Sequence, residues 1–210
     1  MEKKHNDPGA RQVDAVIFDF GGVLAEEGFF DGFRALSEAQ NIDFTLLSET
    51  AVDLAREGGY AEGRIDEQEF WVRLRTQTGL EGTDAELRHE LLSRFILRPW
   101  MFEYVDKLRA AGYKVAVLSD QTNWLEELDA KHGMLQHFDL VWNSYRTGRT
   151  KKEPALFDDF TLALGVAPER ALFVDDHGGH IRRAEARGMK AIHYVGREDF
   201  ERRINEICPL

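Results

Sequence analysis

The sequence predicts an α/β fold: a parallel sheet with helices on both faces, interrupted after its first strand by an all-helical insertion. Three observations carry this. From residue 99 onward, short apolar runs rich in strand formers alternate with segments of helical period. Over 27–97 no strand-like run occurs, and one helical stripe follows another. Several of the strand-like runs stop on an acidic or hydroxyl residue, and the carboxyl edge of a parallel sheet is where such residues meet a ligand.

Residues 1–12 are polar and read as a flexible tail without the apolar stretch of a secretory signal. The first strand covers 13–18 (VDAVIF), is stopped by Asp19 and is followed by a turn at Gly21 and Gly22. In the insertion, Phe30, Phe33 and Leu36 form one stripe and Leu46, Leu47, Thr50 and Leu54 a second. Phe70, Trp71 and Leu74 form a third, and Leu87, Leu91, Leu92 and Phe95 a fourth; Gly58, Gly59, Gly79 and Gly82 fall at the breaks. The alternation that follows predicts helices over 101–111, 122–132, 154–164, 179–187 and 197–207, and strands over 114–118, 138–142, 171–174 and 190–194. The expected organisation is an α/β core made of 13–26 and 98–210, with a helical unit over 27–97. Trp100, Trp124 and Trp142 are expected to pack in the core.

Composition bounds the function. With 43% hydrophobic and 31% charged residues the chain is ordinary globular material, which excludes a mainly disordered protein. No apolar run approaches membrane-spanning length. Acidic residues outnumber basic ones 38 to 27, and a net charge of -11 argues against nucleic acid or anionic membrane as partner. The single cysteine, Cys208, excludes a disulfide framework within the chain, so a cytoplasmic location is expected and Cys208 itself is read as a bystander. Arg146, Arg149, Lys151 and Lys152 make one short basic loop, better matched to a small anion than to a polymer.

The strand ends point to a site. The first strand delivers Asp19, the second Ser119 and then Asp120, and the strand over 171–174 delivers Asp175 and Asp176, while the basic loop follows the strand over 138–142. Each alone is ordinary, since an Asp after a strand is often only a turn or cap residue. Adjacent carboxylates at a buried strand end repel, and a divalent cation relieves that; Mg²⁺ takes one or two carboxylates together with phosphate oxygens and water. A nucleophilic carboxylate, a metal and a cationic clamp are the equipment of phosphoryl transfer through an aspartyl phosphate.

In the motifs IFDFGGVL (from Ile17), VAVLSD (ending at Asp120), GRTKKEPALF (from Gly148) and LFVDD (ending at Asp176), taken in that order, the chain resembles the haloacid dehalogenase-like (HAD) hydrolase superfamily over nearly its whole length. The resemblance implies a Rossmann-like core with a small C1 cap inserted after the first strand, of subfamily IA type, and YAEGRIDEQEFW (from Tyr60) is similar to a recurrent cap segment. It implies Asp19 as nucleophile and Mg²⁺ ligand, and Gly21 as a ligand through its carbonyl. Ser119 and Lys151 would hold the phosphoryl group, Asp176 would bind Mg²⁺, and Asp175 would lie nearby. The expected activity is a Mg²⁺-dependent phosphatase acting on a small phosphorylated metabolite; oligomeric state is not legible.

Three positions depart from the family pattern. Gly21 stands where phosphatases of the family carry a second Asp as general acid and base, a group worth ~10²–10⁴-fold in rate. Asp120 stands where Asn is common, and Lys152 and Glu153 where Pro and an acidic residue are usual. Lys152 is read as the charge that offsets Asp120, and it competes with Lys151 for the role of phosphate lysine. Glu26, Glu27 and His177 are the candidates for a substitute acid, with His180 assigned a structural role at a helix start. Two alternatives stay open: a metal-free 2-haloacid dehalogenase, in which Asp19 attacks carbon, and a non-catalytic binding or regulatory protein on the same fold.

Overall fold

A computed structural model of the chain describes residues 11–210. The expected tail therefore lies outside the described residues except for Arg11 and Gln12, whose side chains hydrogen-bond to the body of the protein. Arg11 Nη1 donates to the Gly112 carbonyl at 3.0 Å, and Gln12 Nε2 to the Glu206 carbonyl at 3.0 Å.

Five strands, β1 (Ala15–Phe18), β2 (Lys114–Ser119), β3 (Leu140–Asn143), β4 (Ala171–Asp175) and β5 (Lys190–His193), form one parallel sheet in the order β3-β2-β1-β4-β5. The helices are α1 (Gly28–Gln40), α2 (Phe44–Arg56), α3 (Glu67–Thr78), α4 (Asp84–Leu92), α5 (Pro99–Ala110), α6 (Trp124–His132), α7 (Ser144–Thr147), α8 (Pro154–Leu164), α9 (Gly178–Ala186) and α10 (Arg197–Ile207). The period-2 pleat sorts the strands. Val16, Phe18, Val117 and Val174 pack with Met101 and Val105 of α5 and Phe200 and Ile204 of α10 on one face. Ala15, Ile17, Leu118 and Phe173 pack with Phe157 and Phe160 of α8 and Ile181 of α9 on the other. Both faces are buried, which is why the strands read as unbroken apolar runs.

The order of the strands creates the crevice. From β1 the chain proceeds to β2 and β3 on one side, then crosses to β4 and β5 on the other. Direction reverses at β1, and the carboxyl ends of β1, β2 and β4 open at that switch.

Helices α1 to α4 bury an apolar cluster of their own, with Phe33, Leu47, Phe70, Trp71 and Leu91 at its centre. Two chain segments join it to the sheet side by side. Glu26 N donates to the Ile96 carbonyl at 2.8 Å and Arg98 N to the Leu24 carbonyl at 2.9 Å, across an antiparallel bridge between Ala25 and Leu97. Two stripe residues expected inside are outside: Phe30 is 41% exposed and Leu46 48%. The buried arc of α2 runs instead through Leu47, Ser48, Ala51, Leu54 and Ala55, and Phe30 faces the cavity described below.

Other differences are local. The strand expected over 138–142 starts at Leu140, because a 3₁₀ turn at Leu135–His137 precedes it and Phe138 packs edge-on against Phe18 and Phe102. Helix α6 starts at Trp124 because Thr122 Oγ1 accepts from Trp124 N at 3.3 Å. Trp124 is fully buried, as expected, but among the helical cluster rather than in the sheet core. Trp100 and Trp142 are only half-buried. Among the described residues no helix is long and apolar enough to cross a membrane.

Candidate active site

Four buried polar side chains from four parts of the chain meet at the carboxyl edge. Asp19 follows β1 and is 9% exposed; Ser119 ends β2 and is 2% exposed; Asp175 ends β4 and is fully buried. Lys151, in the loop after α7, is 1% exposed. Asp19 Oδ1 accepts from Ser119 Oγ at 2.7 Å and from the Phe20 amide at 2.7 Å. Lys151 Nζ lies 2.7 Å from Asp19 Oδ2 and 2.7 Å from Asp175 Oδ2, so one ammonium serves two carboxylates. Ser119 thus spends its hydroxyl on Asp19 rather than capping a helix.

The electrostatics are unequal. Burial raises the Asp19 pKa above the usual carboxylate range; Lys151 opposes that and the Asp175 charge adds to it. For Asp175 burial also works upward, but Lys151 and His180 together outweigh it and hold the carboxyl well below its ordinary value. Asp175 Oδ1 accepts from the His177 amide at 2.7 Å, and His180 Nδ1 sits 3.1 Å from Oδ2. Lys151 stays protonated, since burial disfavours its charge less than Asp175, Asp19 and Asp120 favour it.

The remaining expected residues take more varied places. Asp120 accepts the Lys151 amide through both oxygens, at 2.9 and 3.1 Å, and so shapes the loop that carries the lysine. Its charge is not offset by Lys152, contrary to expectation: Lys152 is 53% exposed and pairs with Glu57, at the end of α2, at 3.0 Å. The basic loop is less basic than it reads. Arg146 pairs with Glu126 at 2.6 Å, and Arg149 with Glu153 at 2.9 Å and Asp159 at 2.7 Å, so of the four cations in this loop Lys151 and Lys152 line the crevice. Asp176 is more exposed than Asp175, and its carboxyl is raised by burial and by the Asp175 charge. It lies against Gly22, whose φ is 76° and where an added Cβ would fall 2.0 Å from Asp176 Oδ2. Among the described residues, Asp19, Asp175 and His180 bring ligand-type atoms within 4.8 Å of one another, and Asp176 stands outside that group.

These residues floor a cavity of ≈ 470 Å³ whose opposite wall comes from the helical segment through Phe29, Phe30, Val52, Ala55 and Arg56. Gln121, Arg56 and Arg183, which are not among the residues the sequence points to, also line it. Gln121, two residues past Ser119, was within reach of the strand-end argument; nothing local marks Arg56, which arrives from α2. The acid candidates separate cleanly. Glu26 turns away to Arg98 at 2.7 Å. His180 is engaged with Asp175, and the His177 pKa is lowered by burial and by His180. Glu27 lines the cavity, caps α1 by accepting the Phe29 amide at 3.2 Å, and is raised in pKa by burial and then by the Asp176 charge. Cys208 lies apart, buried, with its thiol pushed up to about 12 by burial.

Comparison with known proteins agrees with this architecture. The chain is 26% identical over 209 residues to D-ribitol-5-phosphate phosphatase of Bacteroides thetaiotaomicron, covering 93% of this chain and 98% of that protein. It is 25% identical over 198 residues to mouse bifunctional epoxide hydrolase 2, covering 83% of this chain but only 35% of that longer protein. A solved HAD family enzyme from B. thetaiotaomicron, in complex with magnesium and inorganic phosphate, superposes with a TM-score of 0.70 at 22% identity, covering 88% of this chain and 96% of that one, a likeness of fold. The family model for haloacid dehalogenase-like hydrolases matches residues 13–186, most of the chain, and the chain belongs to that family of hydrolases.

Proposed function

We propose that the protein is a Mg²⁺-dependent phosphatase that hydrolyses a small phosphomonoester through an aspartyl phosphate on Asp19. The observation that carries this reading is the shared ammonium: Lys151 Nζ stands 2.7 Å from both Asp19 and Asp175 in the floor of a cavity. Asp19 attacks phosphorus, the bond to the leaving oxygen breaks, and water then attacks the aspartyl phosphate and restores the carboxylate. Lys151 neutralises the nucleophile and the phosphoryl oxygens, Ser119 hydrogen-bonds the transferring group, and Lys152 stands at the rim in an exposed pair with Glu57. The phosphatase relative from Bacteroides supports the same substrate class.

The donor set fits Mg²⁺. Asp19, Asp175 and Asp176 offer oxygen ligands, burial and then the charge of Asp175 raise the pKa of Asp19 and of Asp176, and among the described residues Lys151 is the one buried ammonium. Asp19, the Gly21 carbonyl and Asp176 would hold the ion, with Asp175 close by. The ion supplies positive charge to the phosphoryl oxygens, and the magnesium complex of the Bacteroides enzyme supports its identity. We read 13–26 and 98–210 as the catalytic core and 27–97 as a cap that sets what enters. The acidic surface fits a cytoplasmic enzyme of small metabolites.

The test is hydrolysis of p-nitrophenyl phosphate with and without Mg²⁺, by the wild type and by Asp19→Asn. Turnover that requires both the ion and Asp19 is expected. Metal-free chloride release from a 2-chloro acid would favour a dehalogenase, which needs no proton donor at position 21. Wild-type activity no higher than that of Asp19→Asn in both assays would favour a binding protein.

A further inference from the structure

Position 21 lacks a side chain, yet the space it would fill is not empty of chemistry. A Cβ placed on Gly21 meets Glu27 Oε2 at 3.5 Å, Gln121 Nε2 at 3.6 Å and the Phe95 ring at 3.9 Å. These are ordinary contacts, and the φ of Gly21 is not in the left-handed range, so the backbone does not require glycine here. What the glycine does is leave room for a carboxylate that comes from elsewhere. From this arrangement the geometry points to Glu27 as the general acid and base of the reaction, reaching from the start of α1 into the place that a side chain at position 21 would occupy. The inference rests on the phosphatase reading above and names the group which that reading lacks.

The local structure holds Glu27 in place. Its Oε1 accepts the Phe29 amide in the first turn of α1, which leaves Oε2 facing position 21. The start of α1 is itself pinned, because Gly28 abuts Phe95 so closely that a Cβ there would lie 2.4 Å from the ring and 2.7 Å from the Phe95 amide nitrogen. Gln121 presents its amide nitrogen to the same point, since its Oε1 accepts the Thr122 amide at 3.2 Å. Glu27, Gly21, Gln121 and Asp19 border one cavity.

The proton balance closes over two steps. As Asp19 attacks phosphorus and the bond to the alkyl oxygen breaks, the Glu27 carboxyl gives its proton to that oxygen, which leaves as an alcohol. The Glu27 carboxylate then takes a proton from water as the water oxygen bonds to phosphorus. The bond from phosphorus to Asp19 breaks, inorganic phosphate departs, and Glu27 is again protonated. The proton donor thus belongs to the helical segment rather than to a sheet strand.

The experiment compares wild type, Glu27→Gln, Glu26→Gln and the double variant Gly21→Asp/Glu27→Gln, with p-nitrophenyl phosphate, Mg²⁺, stopped-flow detection and intact mass. Gln keeps an oxygen to cap α1. Nitrophenolate leaves unaided, so Glu27→Gln is expected to release one equivalent per site in a burst and then slow by ~10²–10⁴-fold, with one phosphoryl group trapped on the protein. Glu26→Gln is expected to behave as wild type, and Gly21→Asp/Glu27→Gln to regain turnover and lose the trapped mass. Wild-type turnover by Glu27→Gln with no trapped phosphoryl group overturns the assignment; so does loss of the burst itself without rescue, which would make Glu27 only a helix cap. A wild type inactive with and without Mg²⁺ refutes the phosphatase reading, and this inference with it.

Discussion

Replacing Lys151 with Met removes the ammonium that two buried carboxylates share while keeping most of the side-chain volume. Lys151 is 1% exposed and its Nζ is 2.7 Å from each of Asp19 and Asp175. Each contact is worth about 6 kcal/mol of Coulomb attraction at an effective dielectric of about 20, and desolvation of the ammonium offsets much of the sum. Removing one partner of such a group strands the others, at a cost of ~3–5 kcal/mol. That is a large share of the ~5–15 kcal/mol typical of a domain. Urea unfolding followed by circular dichroism, without Mg²⁺, measures it. The pH dependence has a definite sign. The Lys151 pKa is raised, so its contribution is complete below the ordinary lysine value and constant across the neutral range. The depressed Asp175 carboxyl contributes stability above its unfolded pKa, lost only as pH falls through its folded value. Without Lys151 the Asp175 carboxyl loses the charge that, with His180, holds it down against burial, and Asp19, already raised, rises further; the folded variant then binds protons that the wild type does not, and the penalty grows as pH rises through the new Asp175 value. The deficit is therefore expected to be larger at about pH 7 than at about pH 5, and Asp175→Asn added to Lys151→Met should recover part of it. A loss below ~1 kcal/mol at neutral pH, or one equal at both pH values, would refute the reasoning.

Two further substitutions test the surroundings. Gly22→Ala places a Cβ 2.0 Å from Asp176 Oδ2 on a backbone with φ of 76°. It should lower stability by ~1–3 kcal/mol and abolish the rise in melting temperature that Mg²⁺ is expected to produce in the wild type; an unchanged Mg²⁺ shift would show that Asp176 is not a ligand. Tyr60→Phe removes the donor to Asn123 Oδ1 at 2.5 Å, in a network where Asn123 Nδ2 and Arg88 both reach Glu67 Oε2 at 2.9 and 3.0 Å. Losing it leaves a part-buried acceptor unpaired and is expected to lower stability by ~1–3 kcal/mol in denaturant unfolding.

Much of the architecture is written in local sequence, because buried parallel strands and amphipathic helices leave periodic traces. The helices Pro154–Leu164 and Arg197–Ile207 occupy the spans that periodicity predicts. Asp19, Ser119 and Asp175 are legible as strand-end residues, since the register of β1 with β2 and β4 brings successive strand ends level. What local sequence does not carry is direction and partnership. Glu26 and Glu27 are neighbours of the same type, yet one turns out to Arg98 and the other in to the cavity. Lys151 and Lys152 differ in the same way, by which side of one loop faces the sheet. Arg146 and Arg149 read as an anion clamp until Glu126 and Asp159, distant in the chain or a helix away, take up their charge. Trp124 reads as a core residue, but which core is not legible: it packs with a cluster whose other members lie far upstream in the sequence. Periodicity reports which residues are buried; only the folded chain decides against what, because side-chain direction and ion pairing depend on neighbours that folding brings together.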